Sequence, residues 1–149
     1  MKKELDDLLC SKYPKIFAER HADPLQTAMC WGFACGDGWY PLIDNLCSQI
    51  QFHLEHNAKK GTPQFVAVQV KEKFGGLRFY GTGGDDKIHA FIWFAENLSG
   101  RICEECGTMK DVMTYGMGWV RTLCPEHADN NYGEAAAQYR ESKKDLQDQ

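Results

Sequence analysis

Residues 101–127 read RICEECGTMKDVMTYGMGWVRTLCPEH, and this stretch decides how the C-terminal part of the chain folds. Cys103 and Cys106 form one close pair of potential metal ligands, and Cys124 and His127 form a second pair after 17 intervening residues. Zinc takes four thiolate or imidazole ligands in a tetrahedron, and two close pairs on separate segments supply them. The spacing therefore predicts one zinc site formed by all four side chains.

That site is expected to be structural, because four protein ligands leave no position for an activated water. The stretch also lacks the H-x-E and P-C-x-x-C signature of zinc deaminases. A redox role for the C-x-x-C pair is the alternative, but no thioredoxin-like βαβ pattern surrounds it. We therefore predict one structural Zn²⁺ and no catalytic residue at this site.

Between the ligand pairs, residues 113–115 and 119–123 on either side of a Gly116-Met117-Gly118 turn predict a small hairpin. Cys124 is then expected to open a helix that runs to about residue 146. The order of knuckle, hairpin and helix resembles a treble-clef zinc finger. A finger of this size buries little apolar surface by itself, so we expect Trp119 to cover the hairpin and, with Val120, to dock the finger on the rest of the chain.

The segment before the finger predicts a β-hairpin over residues 64–81. In QFVAVQVKEK the valines alternate with other residues, as in a half-buried strand. Phe74-Gly75-Gly76 is expected to form the turn, because glycine tolerates the positive φ that tight hairpins need. Residues 77–80 return as the second strand.

Apolar residues at helical spacing predict helices over residues 3–12, over about 41–56, and from the Asp85-Asp86 pair to Gly100. Residues 21–38 show no clean period and are expected to form a loop, pinned by Met29, Trp31 and Phe33.

These elements predict an α+β fold in which helices pack on a short antiparallel hairpin or sheet. Residues 1–100 would form the body, and residues 101–149 a zinc-finger module with a C-terminal helix. The module is expected to dock on the body as one globular unit.

Composition excludes several other classes. The 149 residues are 43% hydrophobic and 26% charged, which fits a packed core and not a disordered chain. No apolar run is long enough for a transmembrane helix, and the N-terminus has no secretory signal pattern. We therefore expect a cytoplasmic protein. The net charge of −4 disfavours a surface that binds nucleic acid over its whole area.

One segment is nevertheless basic. Residues 59–80 hold five lysines and arginines against one acid. If the hairpin register aligns them, Lys71, Lys73, Arg78 and Tyr80 share one face, which suits phosphates or an acidic protein patch. The alternative is a solvent-facing strand surface whose lysines prevent edge pairing. Trp31 and Trp39, which flank the glycine-rich loop, are predicted to extend the binding surface.

The remaining cysteines allow two further interpretations. Cys30, Cys35 and Cys47, with His53 or His56, could form a second metal site, although their spacing matches no familiar ligand pattern. Cys35 could instead be a nucleophile on a tight turn, with His53 as its base. A buried free cysteine is the commoner fate of such residues.

Three segments together resemble a family of small, uncharacterised phage and prophage proteins. They are WGFACGDGWYPLIDNLCSQIQFHL, QVKEKFGGLRFY and RICEECG with WVRTLCPEHA, and the resemblance covers about residues 29–128. It implies a phage-associated setting in a bacterial host cell and the Cys/His metal site. It brings no catalytic residues.

Three functions are compatible with these features. The first is a non-enzymatic phage accessory protein that binds a host or defence protein, as a monomer or a homo-oligomer. The second is a protein that binds nucleic acid or a small nucleotide-like anion through the basic and aromatic surface. The third is an enzyme that uses Cys35.

Overall fold

The chain folds as an α+β protein in a computed structural model that describes residues 1–116, 118–129 and 132–134. The elements are α1 Lys3–Lys12, β1 Phe33–Ala34, α2 Tyr40–His56, β2 Val66–Lys73, β3 Gly76–Thr82, α3 Asp86–Ser99, β4 Met113–Tyr115 and β5 Arg121–Leu123. The predicted α+β class and the three predicted helices are confirmed. No helix among the described residues is both long and apolar enough to cross a membrane.

The β2–β3 hairpin occupies two positions of a three-stranded sheet with the order β1-β2-β3. The two strands are antiparallel, and Lys71 lies opposite Arg78. Phe74 and Gly75 at the turn have φ angles of 55° and 77°. Two successive positive φ angles give the turn whose twist matches that of the strands. The predicted hairpin is confirmed, although Gly76 opens β3 and is not part of the turn.

β1 is a strand that the sequence did not reveal. Phe33 pairs with Val70 and Ala34 with Lys71, and the pairing is parallel. Two residues are too few for an alternating pattern to appear, so the loop predicted over residues 21–38 is wrong at this point.

The same segment contains 3-10 turns at Met29–Trp31 and Asp37–Trp39. Met29 and Phe33 are buried, as expected for residues that pin the segment. Trp31 is 76% exposed, so its predicted pinning role is wrong.

One face of the sheet carries the main hydrophobic core. The Phe17 ring lies 5.0 Å from the Phe33 ring and 6.3 Å from the Phe79 ring, measured between centroids. Leucine and isoleucine side chains of α1, α2 and α3 complete this core. Lys71 and Arg78 lie on the opposite face, where side chains remain at least partly exposed.

The C-terminal part forms a second, smaller core. β4 and β5 pair antiparallel, with Thr114 opposite Thr122, which confirms the predicted hairpin in a shorter form. The buried residues of this core are Cys103, Tyr115, Leu123, Cys124 and Ala128. Residues 125–129 and 132–134 are helical, and the rest of the helix predicted to about residue 146 lies outside the described residues.

Candidate metal centre and binding surfaces

The four predicted metal ligands converge at the start of the smaller core. Their ligand atoms all lie within 4.8 Å of one another. The Sγ atom of Cys106 is 3.9 Å from that of Cys124, and Nδ1 of His127 is 3.1 Å from Sγ of Cys124 and 3.7 Å from Sγ of Cys103. A tetrahedral ion with sulfur ligands at zinc distances separates them by about 3.8 Å. The group could therefore hold a metal ion.

The electrostatics of the thiols also suit a cation. Burial opposes ionisation of Cys103, but backbone N–H groups of Cys124, Cys106 and Glu105 outweigh it and lower the pKa of the Cys103 thiol. Burial and the neighbouring thiols raise the pKa of Cys106 to about 11. Thiols this close together can all ionise only if a positive charge lies among them.

A glycine-rich loop receives the knuckle that carries Cys103 and Cys106. The backbone N–H of Gly36 donates to Oε1 of Glu104 at 2.9 Å, and that of Gly38 donates to the Glu104 carbonyl at 2.8 Å. A Cβ atom on Gly38 would lie 2.3 Å from the carbonyl oxygen of Cys103. Only glycine fits at position 38, because any side chain would prevent the loop backbone from approaching the backbone at Cys103.

Trp39 completes this contact from inside the protein. Its side chain is fully buried, and Nε1 donates to the carbonyl of Ile102 at 3.0 Å. The prediction that Trp39 belongs to a binding surface is therefore wrong. An indole ring whose N–H is hydrogen-bonded is stable in a core. The glycines before Trp39 reflect close packing of the backbone rather than an exposed loop.

Glu104 is a site residue that the sequence analysis missed. Besides its contacts with Gly36 and Gly38, its carboxylate accepts from Nε of Arg121 at 3.2 Å. Glu104 is almost fully buried, although it lies between two metal ligands in a short charged turn. The two consecutive glutamates in C-E-E-C were the only local signal, because the partners of Glu104 are distant in the sequence.

A second contact joins the tip of the β2–β3 hairpin to the small sheet. Oγ1 of Thr122 donates to the carbonyl of Gly75, and a Cβ atom on Gly75 would lie 3.2 Å from Cγ1 of Val120. Val120 therefore lies at this junction, as predicted. Trp119 is 76% exposed, so the prediction that it covers the hairpin and docks the finger is wrong.

The remaining cysteines do not join the metal ligands. Among the described residues, the Cys103 group is the one His/Cys/Asp/Glu cluster with metal-binding geometry, so a second site at Cys30, Cys35 and Cys47 with His53 or His56 finds no support.

Burial raises the pKa of the Cys35 thiol to about 12, which keeps it protonated near neutral pH. The proposed base, His53, is bound to Asp85 at 2.8 Å and lies about 20 Å along α2 from the start of that helix. The hypothesis that Cys35 is a nucleophile is therefore not supported.

The predicted basic surface does form on one face. Lys71 and Arg78 are cross-strand partners, and Lys73 and Tyr80 follow at the same alternation. Nζ of Lys71 lies 5.8 Å from the centroid of the Tyr80 ring. Trp31 is exposed in the turn that leads into β1.

An apolar groove lies between α2, α3 and the knuckle, with a volume of about 510 Å³. Its walls include Leu42, Leu46 and Gln49 of α2 and Phe91, Phe94 and Leu98 of α3, and Met109 also lines it. No residue that lines the groove is charged. Phe94 at its rim is 63% exposed, which adds an accessible apolar ring to the edge of the groove.

No protein-family model matches the sequence, and the curated proteins and the solved structures give no match to it either.

Proposed function

We propose that this chain is a non-enzymatic phage or prophage accessory protein that is stabilised by one structural zinc ion. It acts in the cytoplasm of the bacterial host by binding a host or defence protein. The apolar groove between α2 and α3 is the observation that supports a protein partner.

Zinc is the proposed metal because three thiolates and one imidazole are ligands that zinc prefers in closed tetrahedral sites. The order of knuckle, hairpin and helical residues supports a treble-clef-like finger. Native mass spectrometry of protein purified from bacteria, compared with its denatured mass, is expected to show one zinc per chain. A different metal in that position, or none, contradicts this assignment.

The partner is proposed to place an amphipathic helix in the groove. The groove runs between two helices, and the residues that line it recur at spacings of three and four on α3, where they are all apolar, and on α2, where Asn45 and Gln49 are polar. An uncharged trough of this kind suits the apolar face of a third helix. Binding there would cover Phe94 and Met109, which are both exposed.

Affinity capture from lysate of a bacterial host tests this groove with three forms of the protein. The wild type and Ala90→Glu, an exposed control on the same helix, are expected to retain one common partner that Phe94→Glu loses. All three forms should have similar melting temperatures. Equal capture by all three, or no specific capture, contradicts the proposal.

The second candidate function is the binding of nucleic acid or a small nucleotide-like anion at the basic face of the sheet. It is favoured by Lys71, Lys73 and Arg78, which share that face and make no ion pair with any described carboxylate. Replacing Lys73 and Arg78 by alanine is expected to abolish anion binding. If the double variant binds inorganic phosphate or nucleotide as tightly as wild type, this face is not the binding site.

A further inference from the structure

The exposed face of the sheet extends beyond the four predicted residues. A shallow pocket of about 210 Å³ at the tip of the β2–β3 hairpin is lined by Lys73, Phe74 and Trp119, and also by Glu72, whose carboxylate accepts from the Gly75 N–H at 2.7 Å. Phe74 is 74% exposed and Trp119 is 76% exposed. Neither was singled out as a binding residue from the sequence, because one belongs to the hairpin turn and the other to the metal module.

Cations and aromatic rings lie next to each other at both ends of the β2–β3 hairpin. Tyr80, which is 41% exposed, lies beside Lys71 at one end. At the other end, Nζ of Lys73 lies 5.3 Å from the centroid of the Phe74 ring. Positive groups attract phosphates, and exposed aromatic rings offer faces on which unpaired bases can stack.

Phe74 occupies a position that is costly for its residue type. Its φ of 55° belongs to the left-handed region, which asparagine and glycine adopt far more readily than phenylalanine. The exposed ring buries little apolar surface that could offset this strain. A strained, exposed aromatic residue at a turn indicates a selected role outside folding.

The backbone beside each exposed ring makes a hydrogen bond within the protein. Thr122 binds the Gly75 carbonyl, which fixes the hairpin tip on the small sheet. The hydroxyl of Tyr132 donates to the Trp119 carbonyl at 2.7 Å, which fixes the backbone at the other ring. The surface is therefore preorganised, and binding would need little ordering of the backbone.

We propose that this surface binds single-stranded nucleic acid, with Phe74 and Trp119 as a stacking platform beside the cations Lys71, Lys73 and Arg78. This inference rests on the second candidate function and names its ligand class. A duplex keeps its bases stacked internally and would leave both rings unused. An acidic peptide would use the cations but gain nothing specific from the rings.

Fluorescence anisotropy with a labelled oligothymidylate of about ten nucleotides tests the inference. Trp119→Ala is expected to weaken binding about tenfold, whereas Trp93→Ala, an exposed tryptophan on α3, leaves the Kd unchanged. Neutralising about three phosphates gives a slope of log K against log salt near −2 for a single strand, and Lys73→Ala is expected to make it shallower.

Phe74→Asn separates binding from folding. Asparagine tolerates the turn geometry, so the melting temperature should rise by about 3 °C while oligonucleotide affinity falls. A loss of affinity caused by unfolding would instead lower both quantities.

Competition with inorganic phosphate and polyglutamate distinguishes the remaining outcomes. If phosphate binds and depends on Lys73 and Arg78, but the oligonucleotide binds no more tightly, the inference fails and the anion-binding candidate stands. If neither ligand binds, both fail. If polyglutamate competes as well as the oligonucleotide and Trp119→Ala has no effect, an acidic protein segment is the ligand and the inference is overturned.

Discussion

Asp6 is a carboxylate that the fold buries and keeps ionised. Its Oδ1 accepts from Nε of Arg20 at 2.8 Å, and its Oδ2 accepts from Nη2 at 3.1 Å. Burial by itself would raise the pKa of Asp6, but the hydrogen bonds and charge of Arg20 outweigh it, with help from Cys10 and the Phe33 N–H, so the pKa is lowered from 3.8. Arg20 also donates to the Cys30 carbonyl at 2.8 Å, so this pair fastens α1 to the segment before β1.

We expect Asp6→Asn to reduce the free energy of unfolding by about 3 kcal/mol at neutral pH, because it leaves the Arg20 guanidinium without its counter-charge. A carboxyl whose pKa is lowered by folding stabilises fully above its unfolded pKa, and this stabilisation disappears as pH falls through the folded pKa. The difference in unfolding free energy between wild type and Asp6→Asn should therefore shrink as the pH falls below 3.8, the ordinary pKa of an aspartate.

Urea unfolding across pH measures both effects. Asp7→Asn is the matched control, because Asp7 is exposed and pairs only with the exposed Lys3 among the described contacts. If the difference in unfolding free energy between wild type and Asp6→Asn stays constant as the pH falls, Asp6 does not stabilise the protein through an ionised pair with Arg20.

At the scale of elements, α3 acts as a partner for the free edge of β3. The Leu77 N–H donates to Oγ of Ser99 at 2.9 Å, and the Phe79 N–H donates to Oε1 of Glu96 at 2.8 Å. Side chains of a helix thus satisfy donors that a fourth strand would otherwise bind. These bonds occupy two of the backbone donors that an added strand would need at the β3 edge.

Ser99→Ala is expected to cost about 2 kcal/mol, because it leaves a buried backbone donor without an acceptor. Hydrogen exchange should show faster exchange at Leu77 than in the wild type, while amides of α2 change little. Asn97→Ala removes an exposed side-chain hydrogen bond on the same helix and serves as the control. Similar exchange at Leu77 in both variants would contradict the edge role.

The elements that could be predicted are those with a local cause. The helices have apolar residues at helical spacing, and the β2–β3 turn has a glycine where positive φ is required. The Cys103, Cys106, Cys124 and His127 cluster, which could hold a metal ion, could be predicted because each pair is close in sequence and the spacing matches that of known metal sites.

The elements that could not be predicted depend on distant partners. The glycine-rich loop before Trp39 suggested that its side chain lies on a binding surface. Its indole N–H instead donates to the Ile102 carbonyl, 63 residues away. Glu104 meets Gly36 across 68 residues. β1 exists only because β2 offers an edge. None of these contacts leaves a periodic trace in the sequence.

At the scale of the whole molecule, a metal ion held by Cys103, Cys106, Cys124 and His127 would link the two cores. The knuckle that carries two of these residues is hydrogen-bonded to the loop at residues 36–39, and the small sheet is hydrogen-bonded to the tip of the β2–β3 hairpin. Metal binding should therefore stabilise the folded smaller core and also order the loop at residues 36–39 and the tip of the β2–β3 hairpin beside the larger core.

We expect a chelator to unfold the smaller core and to expose the backbone amides of Gly36 and Gly38, while the centre of α2 stays protected. Hydrogen exchange with and without the chelator measures this. Cys106→Ser should have the same effect and lose the metal, whereas Cys30→Ser should retain it. A Cys106→Ser protein with full metal content and an unchanged melting temperature would refute the site.

The long separation between the glycine-rich loop and the knuckle also has a consequence for biosynthesis. A ribosome that adds 5–20 residues per second delivers Glu104 about 3–14 s after Gly36. During this interval the nascent chain displays Trp39 and the cleft that the knuckle later fills, both of which are targets for chaperones. If the site binds metal as proposed, the final folding step would be timed both by translation speed and by the supply of metal.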